Sequence, residues 1–72
     1  MKKYVVIMPL SWGSGDTLDA ADKAARQAGR HGRKKVERVA FCFDPSKTQA
    51  HVDNYGFLRW QGESPEELEV DQ

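Results

Sequence analysis

Only one segment of this chain carries the periodicity of a full helix, and that limits what the chain can fold into. Leu18, Ala21, Ala25 and Ala28 recur at spacings of three and four, and Ala24 widens the apolar stripe. Asp19, Lys23, Arg26, Gln27 and Arg30 occupy the opposite face. The pattern predicts an amphipathic helix of about three to four turns. Its alanines have high helix propensity, and their small side chains let the backbone lie close to a sheet. A single helix covers one face of a small sheet. The other face is then either polar or a contact surface.

Other local signals place the helix among strands. Residues 4–8, Tyr-Val-Val-Ile-Met, are β-branched and aromatic and read as a strand with two apolar faces. Pro9 limits pairing near its end. Ser11-Trp12-Gly13-Ser14-Gly15 reads as a flexible connector, with Asp16 as helix N-cap and Gly29 or Gly32 as the stop. Residues 36–43 form the next predicted strand. Val39, Phe41 and Phe43 make the better core face by size, and Arg38, Ala40 and Cys42 the other.

Asp44-Pro45-Ser46 signals a turn. Residues 48–52 and 57–60 read as a hairpin around Asp53-Asn54-Tyr55-Gly56, with Gly56 free to take positive φ. Ser64-Pro65-Glu66-Glu67 has the form of a helix start, with a frayed tail as the alternative. The expected fold is α+β in the order β-α-β-β-β, with a short C-terminal helix as an option. It has a mostly antiparallel sheet of three to four strands and one amphipathic helix on one face. The first crossover would set the first two strands parallel. Residues 1–62 are expected to form a single α/β domain, and residues 63–72 an acidic tail or short helix.

At 72 residues the chain has room for one core, and such a core is thin. Cys42 is the single cysteine, so no intramolecular disulfide supplements it. His31 and His51 with Cys42 give no zinc spacing, and no metal or cofactor is expected. Residues 1–10 lack the apolar run and cleavage site of a signal peptide. No run of about 20 apolar residues is present to span a bilayer. A reducing, cytoplasmic setting is the expectation.

Three places in the sequence could hold a catalytic constellation. The loop Gly13-Ser14-Gly15-Asp16-Thr17 lies where phosphate loops sit, but it lacks their glycine spacing and their lysine. Asp16 would also repel an anion there. Cys42 and His51 would need a hairpin to meet, and no third orienting group accompanies them. Most of the carboxylates are taken by caps, turns and the tail. The chain therefore reads as non-enzymatic.

Charge placement is the informative feature. Eleven basic and eleven acidic residues cancel. Yet Lys23, Arg26, Arg30, Arg33, Lys34, Lys35 and Arg38 crowd one sixteen-residue window opposed only by Glu37. Glu63, Glu66, Glu67, Glu69 and Asp71 end the chain. Asp19–Lys23 and Asp22–Arg26 are favourable helix pairs, and Arg30 suits the helix C-terminus. The run Arg33-Lys34-Lys35 lies beyond such pairing and fits phosphates, an acidic protein surface or the chain's own acidic end. The expected partner-binding residues are Arg26, Arg30, Arg33, Lys34, Lys35 and Arg38, with Trp12 and Tyr55 as loop aromatics. Trp60, alternating with Leu58, is expected to serve the core.

A short first strand (residues 4–8), an alanine-rich helix (Thr17-Leu18-Asp19-Ala20-Ala21-Asp22-Lys23-Ala24-Ala25), an aromatic hairpin and a charged end together resemble the small single-domain inhibitors that bacteriophages use against their hosts, anti-CRISPR proteins among them. The resemblance is one of architecture across most of the chain, and no motif carries it. It implies a protein without a catalytic site that docks on a host nucleic-acid-handling complex, such as a CRISPR effector, and blocks it. It also implies residence in the host cytoplasm. Two further readings stay open. One is a direct nucleic-acid binder using residues 26–38, with Tyr55 or Trp60 stacking on bases. The other is a homodimer through the bare sheet face or an edge strand.

Overall fold

The computed structural model describes residues 1–70. Asp71, the last of the acidic residues named above, lies outside them. Six strands and one helix follow in the order β1 (Lys3–Met8), β2 (Ser11–Gly15), α1 (Leu18–Gly29), β3 (Val39–Phe43), β4 (Thr48–Val52), β5 (Leu58–Gly62) and β6 (Glu66–Leu68). Four of them form an antiparallel sheet in the order β2-β1-β3-β6, and β4 pairs with β5 in a separate hairpin. The α+β class with one amphipathic helix on one sheet face is as the sequence implies. Two elements differ from expectation.

The first is the segment 11–15, which is a strand and not a connector. Pro9 and Leu10 form a two-residue turn, and β2 then pairs with β1 from Met8↔Ser11 to Tyr4↔Gly15. Leu10 takes φ 65°, a positive value that such a turn demands at its second central position. The sequence suggested a connector because glycine weakens strands. Here the glycines are used for proximity. A Cβ on Gly13 would stand 2.3 Å from the Ala25 amide nitrogen and 2.7 Å from the Ala21 carbonyl oxygen. On Gly15 it would stand 2.8 Å from Ala20 Cβ. Strand and helix therefore meet backbone to backbone, which only the glycines of β2 and the alanines of α1 allow. The extra pass of chain also reverses the polarity expected for the crossover. β3 runs antiparallel to β1, with Val6 opposite Ala40 and Tyr4 opposite Cys42.

The second is the segment 64–69. Ser64-Pro65 does not start a helix, and Glu66–Leu68 joins β3 as an edge strand, with Leu68 opposite Ala40 and Glu66 opposite Cys42. Leu68 and Val70, two residues apart, both pack against the core, while Glu67 and Glu69 stay exposed. That period of two is a strand signal. A helix of one or two turns would be marginal, whereas β3 offers an open ladder.

The helix is capped by Thr17, one residue later than expected, whose hydroxyl accepts from the Ala20 amide at 3.1 Å. Asp16 instead accepts from Lys3 Nζ at 2.5 Å. Arg30 ends the helix in the left-handed conformation at φ 57°. The core under the helix consists of Val6, Met8, Ala21, Ala25 and Ala40, with Tyr4, Leu18, Val36, Leu68 and Val70 at its margin. Ala40 and Cys42 thus face the helix, and the larger Val39, Phe41 and Phe43 do not. A helix seated on glycine leaves no space for phenylalanine beneath it.

Those phenylalanines serve the opposite face, where the β4–β5 hairpin folds over. Trp60 meets Phe41 and Phe43 edge-on, with centroids 5.6 and 5.3 Å apart. The face expected to be bare is partly covered by the chain's own hairpin, and Trp60 serves packing as expected. Asp44 closes the preceding turn by accepting from the Ser46 amide and hydroxyl. The Thr48 hydroxyl, buried, donates to the Glu63 carbonyl at 2.9 Å. At the hairpin tip Asp53 accepts from the amides of Tyr55 and Phe57, and Gly56 takes φ 85°.

Candidate anion-binding surface

Asp22 organises the basic region. Its carboxylate accepts from Arg26 Nε at 2.8 Å, one helical turn on, and from Arg38 Nη1, which arrives from the start of β3. Burial works against the charge of Asp22. The hydrogen bonds from Arg26 and Arg38, aided by their positive charges, outweigh that and hold its carboxyl below the usual range. Arg26 also donates through Nη1 to the carbonyls of Lys34, at 2.5 Å, and Gly32, at 3.3 Å. One side chain thus ties α1 to the loop 30–38, and Asp22 ties both to β3.

The expected site residues therefore divide. Arg26 and Arg38 are largely buried and turned inward, where they hold the loop in place. Arg30, Arg33, Lys34 and Lys35 are exposed. Asp22, Lys23, Arg26, Gln27, Arg30 and Arg33 line an open hollow of about 530 Å³. Asp22 is paired with Arg26 and Arg38, which leaves Lys23, Arg30 and Arg33 as exposed cations around the hollow, so it suits an anion. Asp19 and Lys23, also four residues apart, form no ion pair among the described residues, so the Lys23 ammonium is available to the rim. Lys23 and Gln27 belong to this surface because the turn after α1 folds back beside them. Helix periodicity places both on the solvent face but does not reveal that fold-back.

Trp12 and Tyr55 stand apart from this hollow. Gly13 and Gly15 face the helix, so Trp12, between them and Ser11, projects to the other side of the sheet. Tyr55 is 86% exposed at the hairpin tip. The basic and aromatic residues thus form two surfaces, not one. Leu10 and Phe57, which composition did not single out, join the aromatic one. Pro9-Leu10 as a two-residue turn is the signal for them, and it is legible only with segment 11–15 as a strand.

Cys42 is buried under the helix and His51 is exposed on the hairpin, so the fold does not bring them together. A different serine–histidine approach exists: Ser11 Oγ lies 3.4 Å from His31 Nε2. The Ser11 proton is committed to the Ala25 carbonyl at 3.0 Å. This contact clamps β2 to the helix. Gly29 belongs to the same clamp, since a Cβ there would stand 2.6 Å from Ser11 Oγ. Gly13 and Gly15 spend their smallness on helix contact and form no phosphate loop. Among the described residues no three His, Cys, Asp or Glu side chains converge as metal ligands. No helix among them is long and apolar enough to cross a membrane. No family model, curated protein or solved structure matches the chain.

Proposed function

We infer that this chain is a non-catalytic interaction protein that docks on a nucleic-acid-handling protein complex in the cytoplasm of a host cell and blocks it, in the manner of the anti-CRISPR inhibitors it resembles. The observation that carries the reading is the hollow rimmed by Lys23, Arg26, Arg30 and Arg33, held open by internal hydrogen bonds. Because Arg26 holds the loop backbone that carries Arg33 and Lys34, that backbone loses little freedom on binding. The glutamates of β6 lie on the edge strand opposite β2, beside β3.

The test is capture of a CRISPR effector, or of another complex of this class, by the full chain with and without nuclease. Capture that survives nuclease and falls at least about tenfold in an R30E/R33E variant supports the reading. Undiminished capture by that variant removes the hollow from it.

A second reading, direct nucleic-acid binding, draws on the exposure of Arg33, Lys34 and Lys35 on a loop fixed by Arg26. Trp60 is engaged with Phe41 and Phe43, which leaves Tyr55 as the stacking residue. Gel-shift affinity should then fall steeply with salt, and alanine at each of the three positions should lower the logarithmic slope by about 0.7–0.9. Absence of any shift at low salt excludes it.

A further inference from the structure

We propose that the element of the partner complex seated against the basic hollow is an acidic α-helix lying antiparallel along the outer face of α1. This rests on the docking function inferred for that hollow and goes beyond it in naming what is docked. Ala21 and Ala25 are fully buried on the sheet-facing side of α1. On the opposite face Asp19, Lys23, Gln27 and Arg30 follow at spacings of four, four and three, and all four are exposed. Such spacings line up neighbouring side chains into the kind of ridge that a second helix meets. Arg33, on the loop, stands with Lys23, Gln27 and Arg30 among the walls of the hollow.

The ridge carries charge in a definite order: Asp19 negative, Lys23 positive, Gln27 neutral, Arg30 positive. Among the described residues Asp19, Lys23 and Arg30 form no ion pair. Seven residues separate Lys23 from Arg30, or about 10 Å along the axis. Carboxylates at positions i and i+7 of a partner helix have that same pitch, because both helices share one rise per residue. Gln27, between the cations, can both donate to and accept from a neutral side chain. With the partner antiparallel, its acids lie toward its N-terminus and a base at i+11 meets Asp19. A helix dipole favours acids at that end, and the two dipoles then run opposite to each other.

A nucleic-acid strand matches this order less well. It carries a phosphate for about every 3.4 Å of rise, so phosphates would fall against Gln27 and Asp19 as well as against the cations. The net charge of zero and the exposed Glu66 and Glu67 of β6 further weaken attraction for a long polyanion. A helix with spaced acids meets the cations and leaves the neutral and acidic positions unopposed by negative charge.

Titration of the full chain at low salt, followed by amide chemical shifts, tests this. The probe is an alanine-based helical peptide with glutamate at i and i+7 and lysine at i+11. A control of the same composition carries the two glutamates on opposite faces. The probe is expected to bind at least about tenfold more tightly than the control, shifting the amides of Lys23, Gln27, Arg30 and Arg33. K23E/R30E, altered only at exposed positions, should lose the probe and bind a counterpart with lysine at all three places. Equal binding of probe and control, no shifts at millimolar probe, or tighter binding of a ten-residue oligothymidylate would each overturn the proposal. Effector capture separates its failure from that of the docking function. Capture that depends on Arg30 and Arg33 but is not competed by the probe overturns the helix and leaves docking standing. Probe binding by a chain that captures no effector supports the helix and removes the effector as its source.

Discussion

Replacing Gly13 with alanine should be among the most damaging single-methyl changes this fold can receive. The added Cβ would meet three helix backbone atoms, Ala25 N at 2.3 Å and Ala21 O and Ala24 C at 2.7 Å each. Ordinary contact begins at about 3.4 Å, so strand and helix must separate by roughly 1 Å. Backbone cannot rotate away as a side-chain tip does. The Ser11–Ala25 clamp resists the movement, and Ala21 and Ala25 would lift off Val6 and Ala40. Overpacking alone costs about 1–3 kcal/mol, and lost packing beneath the helix adds to it. Alanine's smaller backbone entropy loss returns about 0.5–1 kcal/mol. The net expectation is about 3 kcal/mol, against a total of roughly 4–11 kcal/mol for a chain of this length. Denaturant titration followed by far-ultraviolet circular dichroism should show the midpoint fall sharply, and Tm should drop by roughly 10–20 °C. Gly32→Ala provides the comparison. It faces open space but holds φ 62°, so it should cost only about 1 kcal/mol. A Gly13→Ala variant within 1 kcal/mol of wild type, or milder than Gly32→Ala, would refute backbone contact between β2 and α1.

Two further outcomes probe the layers on either side of that contact. The Asp22 carboxyl is held below its usual pKa in the folded state, so its stabilisation is fully present above the unfolded value and is lost as pH falls through the lowered folded one. Asp22→Asn should therefore be less stable than wild type at neutral pH, and the gap should narrow in acid denaturation as pH drops below about 3.8. A gap independent of pH would contradict the assignment. Trp60→Ala removes the ring that meets Phe41 and Phe43. It should cost about 2 kcal/mol at this half-buried site, and the near-ultraviolet dichroism of the hairpin layer should weaken while helix content persists.

The helix and the strands around it were legible because each carries its period within a dozen residues. The Ala21–Ala25 stripe, the Asp44 turn and the Asp53–Gly56 tip are local devices, and they formed where the residues indicate. What the sequence concealed depends on pairs of elements. Ser11-Trp12-Gly13-Ser14-Gly15 reads as flexible until a helix is laid on it, at which point its glycines become the reason the two fit. The strand at Glu66–Leu68 is likewise decided by the open ladder of β3, because a capping motif alone does not outweigh an available edge. The basic window was visible as composition. Its division into Arg26 and Arg38 within and Arg30, Arg33, Lys34 and Lys35 without was not, since that depends on Asp22 standing between helix and β3.

That division decides how the basic region should be probed. Arg26 joins the Asp22 carboxylate to two carbonyls of the loop, so its removal would leave a carboxylate short of a partner and free the segment carrying Arg33 and Lys34. Loss of binding in an Arg26 variant would then report a displaced loop as readily as a lost contact. Arg30 and Arg33 lie outside this network and change the surface potential without loosening the loop. The same logic separates the two ends of the molecule. The basic hollow depends on hydrogen bonds behind it, whereas the Leu10 surface depends on a turn that tolerates, and even prefers, another residue. Each can be altered while the other stands.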